Sequence, residues 1–123
     1  MTPTFVRGGD RVAILGTPGG SRIITMVLLG VLEFADGKPP QAWVSRPRFH
    51  HQYLPDKVFY EPGTFNQSEL DTLQAMGHQL QPLDEPYGNM QAILWDMKAD
   101  RVSAASDPRV EGAAAVRQQR TPR

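Results

Sequence analysis

The stretch from Ser21 to about Ala35 constrains this chain more than any other part of it. Ile23, Ile24, Met26, Val27, Leu28, Leu29, Val31, Leu32 and Phe34 cover almost the whole circumference of the helix it predicts, and Gly37 follows as a stop. A helix apolar on every side is a buried helix, and this one is too short to cross a bilayer, which needs about 20 apolar residues. The sequence therefore asks for a sheet on one side of it and a further layer on the other.

The flanking segments supply that sheet. Phe5-Val6 and Val12-Ala13-Ile14-Leu15 around Arg7-Gly8-Gly9-Asp10 predict a hairpin, and Gly16-Thr17-Pro18-Gly19-Gly20 turns the chain into the long helix. Pro39-Pro40 starts a short helix through Trp43. Pro47 and Pro55 bracket a loop or edge strand, and Val58-Phe59-Tyr60 is strand-like. Asn66 and Glu69 form a capping box, with Phe65 and Leu70 as its staple. Leu70, Leu73 and Met76 make the inner face of that helix, and Gly77 ends it. Gln79–Pro82 reads as a short strand, and 90–95 with 102–105 as a second hairpin. The order β-β-α-α-β-α-β-β-β predicts an α+β fold, a mainly antiparallel sheet with covering helices.

Composition narrows the function classes. Thirteen basic residues balance thirteen acidic ones in 123, which excludes a protein built to neutralise phosphates, so no nucleic-acid partner is expected. The chain has no cysteine, hence no disulfide scaffold, thiolate metal site or cysteine nucleophile. No membrane span is expected, and MTPTFVRGGDRV lacks the pattern of a signal peptide. Residues 1–50 hold six basic and three acidic side chains, 51–111 hold four and ten, and the tail from Gly112 holds three arginines. Its Ala, Arg, Gln and Pro composition predicts a disordered basic tail over 112–123. No internal repeat is found.

The chemistry-bearing candidate is the turn Leu15-Gly16-Thr17-Pro18-Gly19-Gly20-Ser21-Arg22. Strand, glycine turn and helix start together present free backbone N–H groups to an anion or a developing oxyanion; the plainer reading is a tight turn needing positive φ. Ser21-Arg22 does not match a P-loop, which requires Gly-Lys-Ser/Thr, and the Gly-x-Ser-x-Gly nucleophile elbow fails at Ile23. Ser21 is expected to cap the helix rather than attack a substrate. His50 and His51 are adjacent in an extended segment and so point to opposite faces, one packed inward and the other solvated, without a shared metal. His78 is the third imidazole. Asp84-Glu85 and Asp107-Pro108-Arg109 read as turns. Thr2 would become N-terminal if Met1 were removed, but Pro3 behind it opposes an ordered nucleophile strand.

Four blocks carry a resemblance: Met1-Thr2-Pro3-Thr4, Leu15-Gly16-Thr17-Pro18-Gly19-Gly20-Ser21-Arg22-Ile23-Ile24, Arg46-Pro47-Arg48-Phe49-His50-His51-Gln52-Tyr53-Leu54-Pro55-Asp56 and Ala105-Ser106-Asp107-Pro108-Arg109. In this order, across about residues 1–111, the sequence resembles the γ-glutamyltranspeptidases. The resemblance implies part of a four-layer αββα N-terminal nucleophile hydrolase sandwich. It implies a precursor that cleaves itself into large and small subunits, and a threonine at the start of the small subunit. That threonine takes the γ-glutamyl group of glutathione or a related amide, which water or an amino acid then receives. No cofactor or metal is implied. The glycines of the family's Pro-Gly-Gly-Ser turn donate N–H groups to the tetrahedral intermediate, which assigns that role to Gly19 and Gly20.

The departures shape the expectation. The family's Thr-Thr-His block, the Ser-Ser pair that binds the substrate carboxylate and the groups that hold the α-amine match positions upstream of Met1. The carboxylate-gripping arginine belongs to the large subunit. Residues 1–111 are therefore expected to be the C-terminal portion of a small-subunit domain, inactive alone. Its partners would be the large subunit and the N-terminal part of the small subunit, or further copies of itself through an exposed apolar patch. The alternatives are a non-catalytic partner domain that keeps the fold, and a small hydrolase using Ser21 with a histidine. Family members are commonly periplasmic or secreted, and this sequence leaves the compartment open.

Overall fold

Two apolar runs around Gly8-Gly9 form the first hairpin, β1 (Thr4–Gly8) and β2 (Arg11–Gly16), in a computed structural model that describes residues 3–117. Thr2 and the last six residues of the tail lie outside the described residues, while 112–117 are irregular and exposed. A 3-10 turn over Gly20–Arg22 leads into α1 (Ile23–Ala35), and α2 (Pro40–Ser45) starts on its proline. β3 (Phe49–Gln52) and β4 (Lys57–Tyr60) pair antiparallel. α3 (Gln67–Ala75) carries the chain across to β5 (Leu80–Pro82), which lies parallel to β4. β6 (Gln91–Asp96) and β7 (Arg101–Ser106) close as an antiparallel hairpin.

The strands form two sheets. The larger has the order β1-β2-β6-β7 and is antiparallel throughout; the smaller has the order β3-β4-β5. The expected α+β architecture, mainly antiparallel with covering helices, is present. A single sheet does not describe it, because β3 pairs with β4 instead of joining the first hairpin.

Strand periodicity decides which residues meet α1 and α2. The register aligns Val6, Ala13, Leu94 and Ser103 in one row across the larger sheet and Thr4, Leu15, Ala92 and Ala105 in the next. Ala13, Leu15, Ala92 and Ala105 from these rows join Met26, Phe34, Trp43, Val44 and Met90 in the core. Phe34 and Trp43 meet edge to face at 5.7 Å, and the Trp43 indole donates to the Lys38 carbonyl at 2.9 Å.

The helices correct two expectations. α1 buries Met26, Leu29, Gly30 and Phe34 but leaves Ile24 78%, Leu28 53% and Leu32 46% exposed. Those three are four residues apart along one face, and no element among the described residues packs on it. In α3 the capping box forms, with the Glu69 N–H donating to Asn66 Oδ1 at 2.9 Å and the Asn66 N–H to Glu69 Oε2 at 2.8 Å. Met76, read as inward, is exposed, because α3 lies at the surface against β5 with only Leu70 and Leu73 partly covered.

Candidate oxyanion site

β2 ends at Gly16, and the next residue, Thr17, is fully buried. From there the chain turns through Pro18, Gly19 and Gly20, all exposed. Gly19 has φ 148° and Gly20 φ 58°, both in the region that favours glycine. At Gly19 the restriction is steric as well, since a Cβ there would stand 2.6 Å from Met26 Cε. The Gly19 carbonyl accepts from the Arg22 N–H at 3.1 Å and closes the 3-10 turn. Neither the Gly19 N–H nor the Gly20 N–H donates to any acceptor among the described residues. Two exposed, unengaged donors thus stand at the start of α1, where the helix dipole favours negative charge.

Ser21 caps no helix. The 3-10 turn takes Gly19 as its N-cap and α1 takes Arg22, neither with a side-chain cap, because the tight turn moves the start of α1 two residues past the serine.

Behind the turn lies a buried ionic cluster. Arg48, 2% exposed, donates to Asp107 Oδ2 at 2.5 Å, and Arg109 donates to Glu61 Oε2 at 2.6 Å and Asp107 Oδ1 at 3.1 Å. The Asp107 carboxylate also accepts the Met90 N–H at 2.8 Å and the Arg109 N–H at 3.0 Å. Burial alone would raise the Asp107 pKa; the Met90 N–H, Arg48 and the Arg109 N–H outweigh it and hold the carboxyl below its ordinary value. Arg109 is driven the other way. Burial opposes its charge, but Glu61 and Asp107 raise its pKa.

The cluster reaches the glycine turn through the segment 87–90. Glu61 Oε1 accepts the Tyr87 N–H at 2.9 Å, and Arg48 donates to the Tyr87 carbonyl. Gly88 is so enclosed that a Cβ would meet Met26 Sδ at 2.5 Å and Arg48 Nη1 at 2.6 Å. The Asn89 N–H donates to Thr17 Oγ1 at 3.3 Å. Arg22 stacks over the Tyr87 ring at 4.5 Å, and that phenol, buried and beside Glu61, has its pKa pushed up to about 12.

The histidines divide as their alternation predicts. His50 is buried with Nδ1 2.8 Å from Thr25 Oγ1 and Nε2 3.0 Å from Gln52 Oε1, whereas His51 is exposed beside Asp56 at 2.7 Å. The His78 ring lies 6.4 Å from that of His51. Among the described residues no three His, Asp or Glu side chains are grouped to hold a metal, and no helix is long and apolar enough to cross a membrane. Asp84 and Glu85 stay exposed. Asp107-Pro108-Arg109 forms the expected turn, and it also sends two charges inward to partners 48 and 59 residues away. Arg48, Glu61, Tyr87 and Thr17 were not legible as one unit. The available signal was the presence of Arg48, Asp107 and Arg109 in the blocks that carry the resemblance.

Comparison with known proteins agrees with this architecture. Residues 1–117 match the γ-glutamyltranspeptidase family model. The glutathione hydrolase proenzyme of Escherichia coli is 40% identical over 111 residues, 89% of this chain and 19% of that protein. This chain thus spans about a fifth of the length of that relative. An acivicin-inhibited γ-glutamyltranspeptidase, whose C-terminus has critical roles in autoprocessing and catalysis, superposes with TM-score 0.81 at 35% identity. The match covers 91% of this chain and 61% of the other. The T380A mutant of the Helicobacter pylori γ-glutamyltranspeptidase gives 0.79 at 36% identity over 89% and 61%. With its helix-covered antiparallel sheet forming part of an N-terminal nucleophile hydrolase sandwich, the chain belongs to the γ-glutamyltranspeptidase family.

Proposed function

We propose that this chain is the C-terminal, oxyanion-binding portion of a γ-glutamyltranspeptidase small subunit and that it works only with the rest of the heterodimer. In that reading residues 1–111 are the domain and the residues from Gly112 its tail. The substrate is glutathione or a related γ-glutamyl amide, and the observation that carries the reading is the pair of unengaged N–H groups at Gly19 and Gly20.

Attack on the γ-glutamyl carbonyl moves negative charge onto its oxygen as the carbon becomes tetrahedral. Donors already fixed in place stabilise that charge more than they stabilise the neutral amide, which lowers the barrier. Gly19 and Gly20 do this from main-chain positions held by the turn and aided by the α1 dipole. The attacking group is a threonine with its own α-amine as base, supplied by the enzyme's other segment. No position in these 123 residues matches it.

The test is release of chromophore from a γ-glutamyl anilide. The chain alone is expected to release none, and co-expression with the remaining segments of a transpeptidase to restore turnover. Turnover by the chain alone would sink this reading and direct mutation to Ser21 and Thr2. Assembly without restored turnover would favour a non-catalytic partner domain.

A further inference from the structure

We propose that the Thr17 hydroxyl is a positioning group for the site, setting the direction of the Gly19 N–H through the peptide plane that this N–H shares with the Pro18 carbonyl. The inference rests on Gly19 being an oxyanion donor, and it adds the residue that aims it.

A peptide unit is planar, and in the trans form its C=O and N–H point in opposite directions. The only cis bond among the described residues is Leu54–Pro55, so both peptides of the turn are trans. Anchoring a carbonyl therefore aims the N–H on the other side of the same plane. The Gly19–Gly20 plane is anchored by the Arg22 N–H on the Gly19 carbonyl, a main-chain bond that any sequence could make. The Pro18–Gly19 plane has a side-chain anchor, the Thr17 hydroxyl donating to the Pro18 carbonyl at 2.9 Å.

This anchor matters because Gly19 supplies little restraint of its own. Without a Cβ it adopts either sign of φ, so a rotation of the Pro18–Gly19 plane that turned the N–H away would meet little torsional resistance. Thr17 is suited to prevent it. The side chain is fully buried at the end of β2, and its oxygen is held from behind by the Asn89 N–H at 3.3 Å. The hydroxyl has one proton to give. Pro18 O at 2.9 Å is a better acceptor than Met26 Sδ at 3.8 Å, so the proton goes to the carbonyl.

Thr17→Val keeps the shape and removes the hydroxyl, whereas Thr17→Ser keeps the hydroxyl. Both are to be made in the enzyme assembled from this chain and the remaining transpeptidase segments. Two readouts are followed: anilide hydrolysis, and the Gly19 amide signal of a 15N-glycine-labelled chain when a γ-glutamyl boronate analogue forms its tetrahedral adduct. Thr17→Val is expected to lower kcat about 10- to 100-fold with little change in KM, since a misplaced group loses the transition state rather than the substrate. Its Gly19 signal should no longer respond to the boronate, and Thr17→Ser should restore both readouts. Should Thr17→Val not assemble, Thr17→Ala lacks the same hydroxyl and serves in its place. A variant that melts earlier but keeps kcat and the boronate response would overturn the inference, leaving Gly19 as a donor. A wild-type Gly19 signal unmoved by the boronate would remove the donor reading itself, and this inference with it.

Discussion

Asp107 shows how strongly a single side chain can be tied down. Four donors converge on its carboxylate, from Arg48, Arg109 and two main-chain N–H groups, and it is 1% exposed. Asp107 is the only carboxylate among the described residues that the Arg48 guanidinium binds, whereas Arg109 also holds Glu61, so removing the Asp107 charge leaves the buried Arg48 guanidinium without an anionic partner, a loss of about 3–5 kcal/mol. Asp107→Asn should therefore lower the urea midpoint markedly. The acid limb follows from the sign of the shift. The folded pKa lies below the ordinary carboxyl value of 3.8, so the carboxylate contributes fully above that value, and the contribution is lost as pH falls through the lower folded pKa. Urea titrations from pH about 6 to about 2 should show wild-type stability falling steeply at the acid end and the Asn variant falling less. An Asn variant with the wild-type acid slope would mean that other carboxyl groups dominate acid unfolding. None of this was legible in Asp107-Pro108-Arg109, which has the local chemistry of a turn. The partners Arg48 and Glu61 come together only once β3, β4 and β7 are folded.

At the scale of elements, what could be read was what neighbours in sequence decide among themselves. The α3 capping box is formed by residues three apart, and it stands as the pattern required. Asn66→Ala should cost about 1 kcal/mol, checked by the shift in thermal midpoint, because the cap is exposed and its loss leaves the Glu69 N–H to water. Both hairpins form near their expected bounds for the same local reason: alternation and turn residues fix their register. Failures begin where a second element decides. Ser21 has the chemistry of a cap, yet the Arg22 N–H bond to the Gly19 carbonyl tightens the first turn and passes that position by. Met76 fits the period of an inner face, yet too little of the chain covers α3 to bury it. The glycine turn was legible because its conformation is intrinsic to Gly19 and Gly20, whereas the Thr17 contact that fixes it depends on Asn89, 72 residues away.

For the whole molecule, the question is what covers its apolar faces. The rows of the larger sheet that point away from α1 and α2 are Phe5, Ile14, Ile93 and Ala104, then Arg7, Val12, Trp95 and Val102. Phe5 is 68% exposed, and Ile93, Trp95 and Val102 are each at least two-fifths exposed. An antiparallel sheet with one wetted face ordinarily carries polar residues there, so this pattern belongs to a sheet with a layer on both sides. On the opposite side the stripe Ile24, Leu28 and Leu32 repeats the point for α1. Two uncovered faces explain why α1 is apolar all round although only half of it is buried here. They support the proposal that this chain functions packed against further layers of a transpeptidase. In isolation the chain is expected to associate through these faces, scattering light as a dimer or larger and binding ANS. Ile93→Thr combined with Trp95→Lys changes only exposed positions of the outer face and leaves the rows beneath the helices intact, so both signals should fall while the far-ultraviolet circular dichroism is kept. The same pair should weaken assembly with the remaining transpeptidase segments, because the surface that associates with itself is the surface a second sheet would cover. A wild-type chain that runs as a dye-silent monomer would show instead that both the outer sheet face and the α1 stripe are tolerated in water, and would remove the case for a covering layer on either.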